Sequence, residues 1–324
     1  MGNGINVQGK RTRIAILVLS VVVVSLFHFI VPTEPHTFHK VHIILRKLYF
    51  LPPVMAAAWF GLRGSAPTTL VISIIFSFHA FLDWPGDYVE QANQVGELAS
   101  FWVVGLVSGW LFDRQRLLLV ELVGAHEETL LALVSALDMR EKNTRLHSQR
   151  VRDYTLLLAE RYGVSERKKR IIGLGALLHD VGKIAVSDNI LLKPSALSED
   201  EWEEMYRHPL EGYRLLQRID FLRDSAEIVY AHHEHYDGSG YPRRLKGEEI
   251  PLGARLFMVA DVFDAVTSER PYHLPISYRE AIAEIREKSG THFDPAVVEI
   301  FVNIRPDELE AIRKHYADAN KVLG

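Results

Sequence analysis

Four apolar segments crowd into the first 112 residues, at 14–31, 48–62, 66–82 and 95–112. Each approaches the roughly 20 residues that carry a helix across a bilayer, though the second is short. So many in so short a stretch suits membrane spans better than a buried soluble core. The first could be a signal peptide, but no small-residue cleavage site follows it, and Pro32 opens a loop holding His36 and His39. Lys10, Arg11 and Arg13 precede the first segment, Arg63 lies between the second and third, and Arg114 and Arg116 follow the last. The 83–94 loop carries Asp83, Asp87 and Glu90 without Lys or Arg. These charges place the N-terminus inside and bring the chain back inside after four spans. Lys40, Arg46 and Lys47 run against the rule. His79, inside the third segment, is the intramembrane ionisable group to watch, either functional or packed between helices.

The remainder, 113–324, carries most of the charge. A formal net charge of −4 offers no broad basic surface for duplex nucleic acid, so an anionic ligand needs a local cluster of positive charge or metal. The absence of cysteine excludes disulfides and thiolate metal sites. From 113 to 138 there is no Pro, and Gly124 is the single Gly. Leu119, Val123, His126, Leu130, Leu133 and Leu137 recur in steps of four and three. That spacing fits a coiled-coil seam joining a parallel homodimer, and equally an amphipathic helix packed on its own domain.

Beyond the connector, Ser198-x-x-Glu201, Ser277-x-x-Glu280 and Asp307-x-x-Glu310 resemble capping boxes, and Asp294-Pro295 resembles an N-cap followed by Pro at N1. No alternating strand pattern competes, so the chain reads as all-α: a membrane region over 1–112, a connecting helix over 113–138 and a helical domain over 125–324. Leu174, Leu177, Leu178, Val181 and Ile184 predict one helix that carries His179-Asp180 and Lys183. A lone His-Asp or His-His pair means little. Here, however, His147, His179, Asp180, His208, His232, His233 and Asp261 all fall in or beside apolar helical sequence. Asp261 follows Leu256-Phe257-Met258-Val259-Ala260 directly. A buried carboxylate needs a partner or a metal. One such residue fits a structural salt bridge; five His and two Asp together fit metal. The all-N/O set suits Fe, Mn, Ni or Zn, and seven side chains suit two ions.

The order and spacing of these residues resemble the HD-GYP family, the cyclic-di-GMP phosphodiesterase branch of the HD superfamily. The resemblance covers about 125–324. It rests on His147-x-x-Arg150-Val151, Leu178-His179-Asp180-Val181-Gly182-Lys183, His208-Pro209, His232-His233-Glu234 and Asp237-Gly238-Ser239-Gly240-Tyr241-Pro242. It continues through Ala260-Asp261-Val262-Phe263-Asp264-Ala265, Arg270-Pro271-Tyr272 and Gly290-Thr291-His292-Phe293-Asp294-Pro295. The resemblance implies that the seven His and Asp are metal ligands, with Asp180 bridging two divalent ions, iron or manganese. It implies that Lys183 and Arg270 contact the phosphates, and that Gly240, Tyr241 and Pro242 lie near the guanine site. The membrane region looks only generally like a bacterial sensor module; with the charge pattern above, it predicts an enzyme of the bacterial inner membrane, multi-pass and in contact with lipid, with its catalytic domain in the cytoplasm. The expected reaction is hydrolysis of cyclic-di-GMP to linear pGpG, GMP or both, with Asp180 and Lys183 as catalytic groups. The alternatives are another cyclic dinucleotide or nucleotide as substrate, or a non-catalytic nucleotide receptor. Two positions depart from the family pattern. Asn143 stands where some members carry a Glu for a third metal, and His273 stands where Arg or Lys is common.

Overall fold

The computed structural model describes residues 7–31, 36–83, 88–140, 146–268 and 274–323. Arg270, His273, Asn143 and the 84–87 part of the acidic loop, all singled out in the sequence, lie outside the described residues. The chain forms two compact units, 1–126 and 127–324. Among the described residues there are only helices and turns, apart from one isolated bridge between Ser289 and Phe293.

The first unit contains α1 (Val7–Ile30), α2 (His36–Lys47), α3 (Leu51–Phe60), α4 (Leu62–Asp83) and the start of α5 (Tyr88–Arg140). Val24, Tyr49, Ile72, Phe76 and Phe101 make its buried cluster. His79 packs into the same region, its ring 4.1 Å from that of His28, as expected of a helix-packing role. Gly61 ends α3 with φ +64°, and the Asp113 carboxylate accepts the Leu62 N–H at 2.8 Å to start α4. Gly105 and Gly109 let α5 approach Thr69 and Ser65 of α4, the small-residue contact by which apolar helices pack closely.

Among the described residues, two helical stretches, Gly9–Ile30 and Ile43–Phe60, are long and apolar enough to cross a membrane. Residues 66–82 and 95–112 are helical, but α4 carries Arg63, Pro67, Thr68, Thr69 and His79. The fourth segment is part of a 53-residue helix that runs on through Asp113, Arg114 and Arg116.

The second unit begins inside α5 and continues with α6 (His147–Tyr162), α7 (Glu166–Leu177), α8 (Asp188–Leu191), α9 (Glu199–Met205) and α10 (His208–Leu216). It then adds α11 (Arg223–Tyr230), α12 (Leu252–Thr267), α13 (Tyr278–Glu287), α14 (Pro295–Val302) and α15 (Pro306–Leu323). Helix α12 is its centre. Leu256, Phe257, Met258, Val259 and Ala260 are all buried, as a helix apolar on every side must be. The Ser198 and Ser277 capping boxes and the Asp294 N-cap form as expected. Asp307 instead lies in the first turn of α15, and Glu310 accepts a hydrogen bond from the Tyr278 hydroxyl.

The connector seam divides. Leu137 and Leu130 pack with Leu177, Leu178 and Val181, and Val134 rather than Leu133 is the buried residue between them. Leu119 and Val123 are exposed. The helix expected over 174–184 also breaks, because α7 ends at Leu177. Leu178 to Asp180 form a turn, Val181–Ala185 a 3-10 helix, and Ile184 is exposed.

Gly182 shows why that turn is where it is. A Cβ there would lie 1.9 Å from the His208 carbonyl oxygen and 2.5 Å from the Gly212 nitrogen. The turn thus seats directly on α10. Gly182→Ala must push the two apart, so its expected effect is a loss of roughly 1–3 kcal/mol of stability. A thermal midpoint equal to that of the unaltered chain would contradict this packing.

Candidate metal centre

Helix ends deliver most of the expected site residues. His147 and His208 open α6 and α10, His179 and Asp180 follow α7, and His232 and His233 follow α11. Asp261 comes from within α12. These elements bring six of the seven residues into two neighbouring groups. The ligating atoms of His208, His232 and His233 lie within 4.8 Å of one another, as do those of His147, His179 and Asp261.

Asp180 lies between the groups. Its Oδ2 is 3.0 Å from His179 Nε2, and its Oδ1 is 3.4 Å from His208 Nε2 and 3.9 Å from His232 Nε2. The Lys183 ammonium, one 3-10 turn on, donates to Asp180 Oδ2 at 2.7 Å.

The hydrogen bonds on the far side of each imidazole decide what the near side can do. Nδ1 of His179, His208 and His232 faces the carbonyl oxygen of Ala176, Met205 and Val229, at 2.9, 2.7 and 2.6 Å. Nδ1 of His147 faces Asp264 Oδ2 at 2.7 Å. A proton at Nδ1 satisfies each of these acceptors and leaves a lone pair at Nε2. His208 Nε2 and His232 Nε2 are then 3.2 Å apart. Two facing lone pairs in a buried place want a cation between them. The donor set therefore fits divalent metal, and the outer hydrogen bonds fix the rings as such ligands require.

Electrostatics divides the groups. Burial, reinforced by neighbouring His208 and His179, holds His232 down to about 3. Burial and its histidine neighbours also depress His233, and burial depresses His208. All three favour the neutral, ligating form. Burial opposes charge on His147, but its bonds to Asp261 and Asp264 outweigh that and raise it to about 10. Burial likewise opposes ionisation of Asp180, yet His179 and Lys183 hold its pKa well below the usual carboxylate range. The pocket around His147 thus attracts positive charge, whether proton or metal. Phe257 is fully buried under both groups, its ring 4.7 Å from His179 and 5.7 Å from His232.

Gly240 is buried where a Cβ would lie 2.3 Å from the His235 nitrogen. Tyr241 stacks on His233 with ring centres 4.7 Å apart. The Tyr241–Pro242 peptide is cis. Glu234, buried, accepts the N–H groups of Arg243 and Leu245 at 2.7 and 3.0 Å and so pins the segment after Pro242.

Three further residues hold the site from outside. Asp264 pairs with Arg150 through both carboxylate oxygens while holding His147. Its signal was available: a second carboxylate one turn beyond Asp261 in the same apolar helix. Arg140 donates to the carbonyls of Lys183 and Val186 at 3.0 and 2.7 Å and pairs with Asp188, so it clamps the turn that carries Lys183. Glu234 is the third.

Residues 132–297 match the HD domain family. A cyclic di-GMP phosphodiesterase response regulator of Xanthomonas campestris is 43% identical over 210 residues, covering 64% of this chain and 55% of the relative. A cyclic di-GMP phosphodiesterase of Thermotoga maritima is 40% identical over 195 residues, 58% of this chain and 53% of the relative. A 3'3'-cGAMP-specific phosphodiesterase of Vibrio cholerae is 38% identical over 203 residues, 62% of this chain and 39% of the relative. The chain thus spans about half the length of these relatives, or less.

Asp264→Asn tests the outer layer of the site. Loss of the charge that orients His147 is expected to weaken Mn²⁺ binding at the His147, His179 and Asp261 group by about 10–100-fold, with the other group retained. Calorimetric titration with two unchanged dissociation constants would remove Asp264 from this role. The pH dependence has a definite sign. Burial opposes its ionisation, but the bonds to His147 and Arg150 lower the Asp264 pKa to about 2. Its contribution to metal-free stability is therefore complete above the ordinary carboxylate pKa of about 4. It is lost as pH falls toward about 2.

Proposed function

The chain belongs to the HD domain family, and on that premise we propose that it is a metal-dependent phosphodiesterase that hydrolyses cyclic-di-GMP to linear pGpG, GMP or both. The observation that carries the reading is Asp180: one carboxylate lies between two buried imidazole groups and also contacts an ammonium.

In this reading His147, His179 and Asp261 hold one divalent cation, His208, His232 and His233 hold a second, and Asp180 serves both. Iron or manganese suits the N/O donor set. Bound ions would supply Lewis acidity toward the phosphate and acidify a water. The chain's own part is to place groups around the reacting phosphorus. Lys183, held 2.7 Å from Asp180, can move from that carboxylate to a non-bridging phosphate oxygen and stabilise the charge developing there. Arg270 is proposed as the second phosphate contact. Gly240 and Pro242 shape the loop, and Tyr241 offers its ring to a guanine. Phe257 closes the floor of the site against water from below.

A second substrate is favoured by a specific observation. A relative named as 3'3'-cGAMP-specific matches this chain about as well as those named for cyclic-di-GMP. The two compounds share the ring of phosphodiesters and one guanine, so the same groups could serve both.

For the first unit we propose an anchor in the lipid of a bacterial inner membrane. An even number of crossings, led by the basic residues before α1, keeps the second unit in the cytoplasm with its substrate. The exposed apolar part of α5 around Leu119 and Val123 is proposed as a homodimer seam.

The test is product analysis on the purified full chain with Mn²⁺ or Fe²⁺, given cyclic-di-GMP and 3'3'-cGAMP in parallel. Linear dinucleotide or mononucleotide from cyclic-di-GMP is expected, and Asp180→Ala should abolish it in a protein that remains helical. Lys183→Ala is expected to keep its metal and lose about 10²–10³ in kcat. Metal loss in step with rate would make Lys183 a structural group, and turnover of neither dinucleotide would refute the reading.

A further inference from the structure

We propose that Trp202 and Tyr206 form a nucleobase shelf, a stacking surface for one purine of the dinucleotide outside the metal-ligand groups. The inference rests on the phosphodiesterase reading above and extends it to residues not yet given a role.

The two rings stand one helical turn apart at the end of α9, 5.3 Å between centres and 29° between planes. They are 43% and 45% exposed. Large aromatic side chains this open are not serving the core. The helix beneath them is fixed: the Ser198–Glu201 capping box closes its first turn, and Lys193 pairs with Glu201.

The shelf is also continuous with the candidate site. Tyr206 meets Tyr241 at 4.5 Å, and Tyr241 stacks on His233 at 4.7 Å. Four rings therefore form an unbroken series from the exposed Trp202 to an imidazole of the His208, His232 and His233 group. Their spacings are those of favourable aromatic contacts.

A cyclic dinucleotide carries a base on each side of its phosphates. In the proposed reading the phosphate lies at Asp180 and Lys183 and Tyr241 takes one base, so the shelf offers the other a flat partner. Every base has a π-face, so such stacking holds the base without reading it closely. This arrangement suits a site that accepts a purine. The shelf raises affinity and leaves the chemical step to Asp180, Lys183 and the metal ligands.

Trp202 also reports on its own occupancy. The five tryptophans are Trp59, Trp84, Trp102, Trp110 and Trp202, so every one but Trp202 lies within residues 1–126. In the metal-loaded full chain, GMP should quench tryptophan emission saturably, and Trp202→Phe should remove that component. Inorganic phosphate at the same concentrations should leave it unchanged. In turnover, the Trp202→Ala, Tyr206→Ala pair should raise KM for cyclic-di-GMP about tenfold with kcat retained. The Trp202→Phe, Tyr206→Phe pair should restore KM. Absence of a Trp202-dependent quench by GMP, or a KM for the alanine pair within about twofold of the unaltered chain, would overturn the shelf. Failure of the unaltered chain to hydrolyse cyclic-di-GMP would instead overturn the activity, and the GMP titration would still decide whether a base binds at Trp202. That titration uses the unaltered fold, so it decides the question even if the alanine pair does not fold.

Discussion

A carboxylate placed among buried imidazoles is costly unless positive charge comes with it. Asp180 is in that position. Its side chain is 20% exposed, with His179, His208 and His232 against it and the Lys183 ammonium on one oxygen. Truncating one partner in such an arrangement leaves a buried charge uncompensated. The same field makes the place receptive to cations. His232 is neutral near physiological pH, and His147 holds positive charge through its two carboxylates. One flank is built to donate lone pairs, and the other is built to attract charge. Asp180 belongs to both.

The fold meets this demand with helix ends. A residue just inside or just past a helix terminus can turn its side chain across the bundle, while one in mid-helix is tied to that helix's face. Six of the seven expected ligands lie at or just past helix termini, and only Asp261 lies mid-helix. The turns that make this possible are held from outside the site. Gly182 lets the Val181–Ala185 turn seat on α10, Arg140 clamps its carbonyls, and Glu234 ties down the segment after Pro242. Arg150 and Asp264 fix His147 from behind.

Much of this is legible in the sequence, because buried polar residues are conspicuous in apolar helices. Asp261 after five apolar residues is the clearest case, and the capping boxes at Ser198 and Ser277 are local chemistry that needs no tertiary context. The end of α7 is not legible. Leu177, Leu178 and Val181 are all buried whether the backbone stays helical or turns, so their spacing continues through the break. Asp264 carries the same signal as Asp261, a carboxylate one turn further along the same apolar helix. In the first unit the apolar segments at 66–82 and 95–112 are helical as their composition predicts, but α4 includes Pro67, two threonines and His79, and α5 runs unbroken into charged sequence. The Trp202–Tyr206 pair lay in a helix read only for its cap, and its relation to Tyr241 comes entirely from tertiary packing.

We propose that one carboxylate, Asp180, serves two metal-ligand groups in each chain. The most direct test of this is the metal content of the full chain purified without oxygen, measured by elemental analysis for the unaltered protein and for Asp180→Ala. A ratio near two divalent ions per chain, iron or manganese, is expected, falling below one in the variant because both groups lose the same ligand. A stable ratio of one in the unaltered chain, or two ions kept in Asp180→Ala, would contradict the proposal.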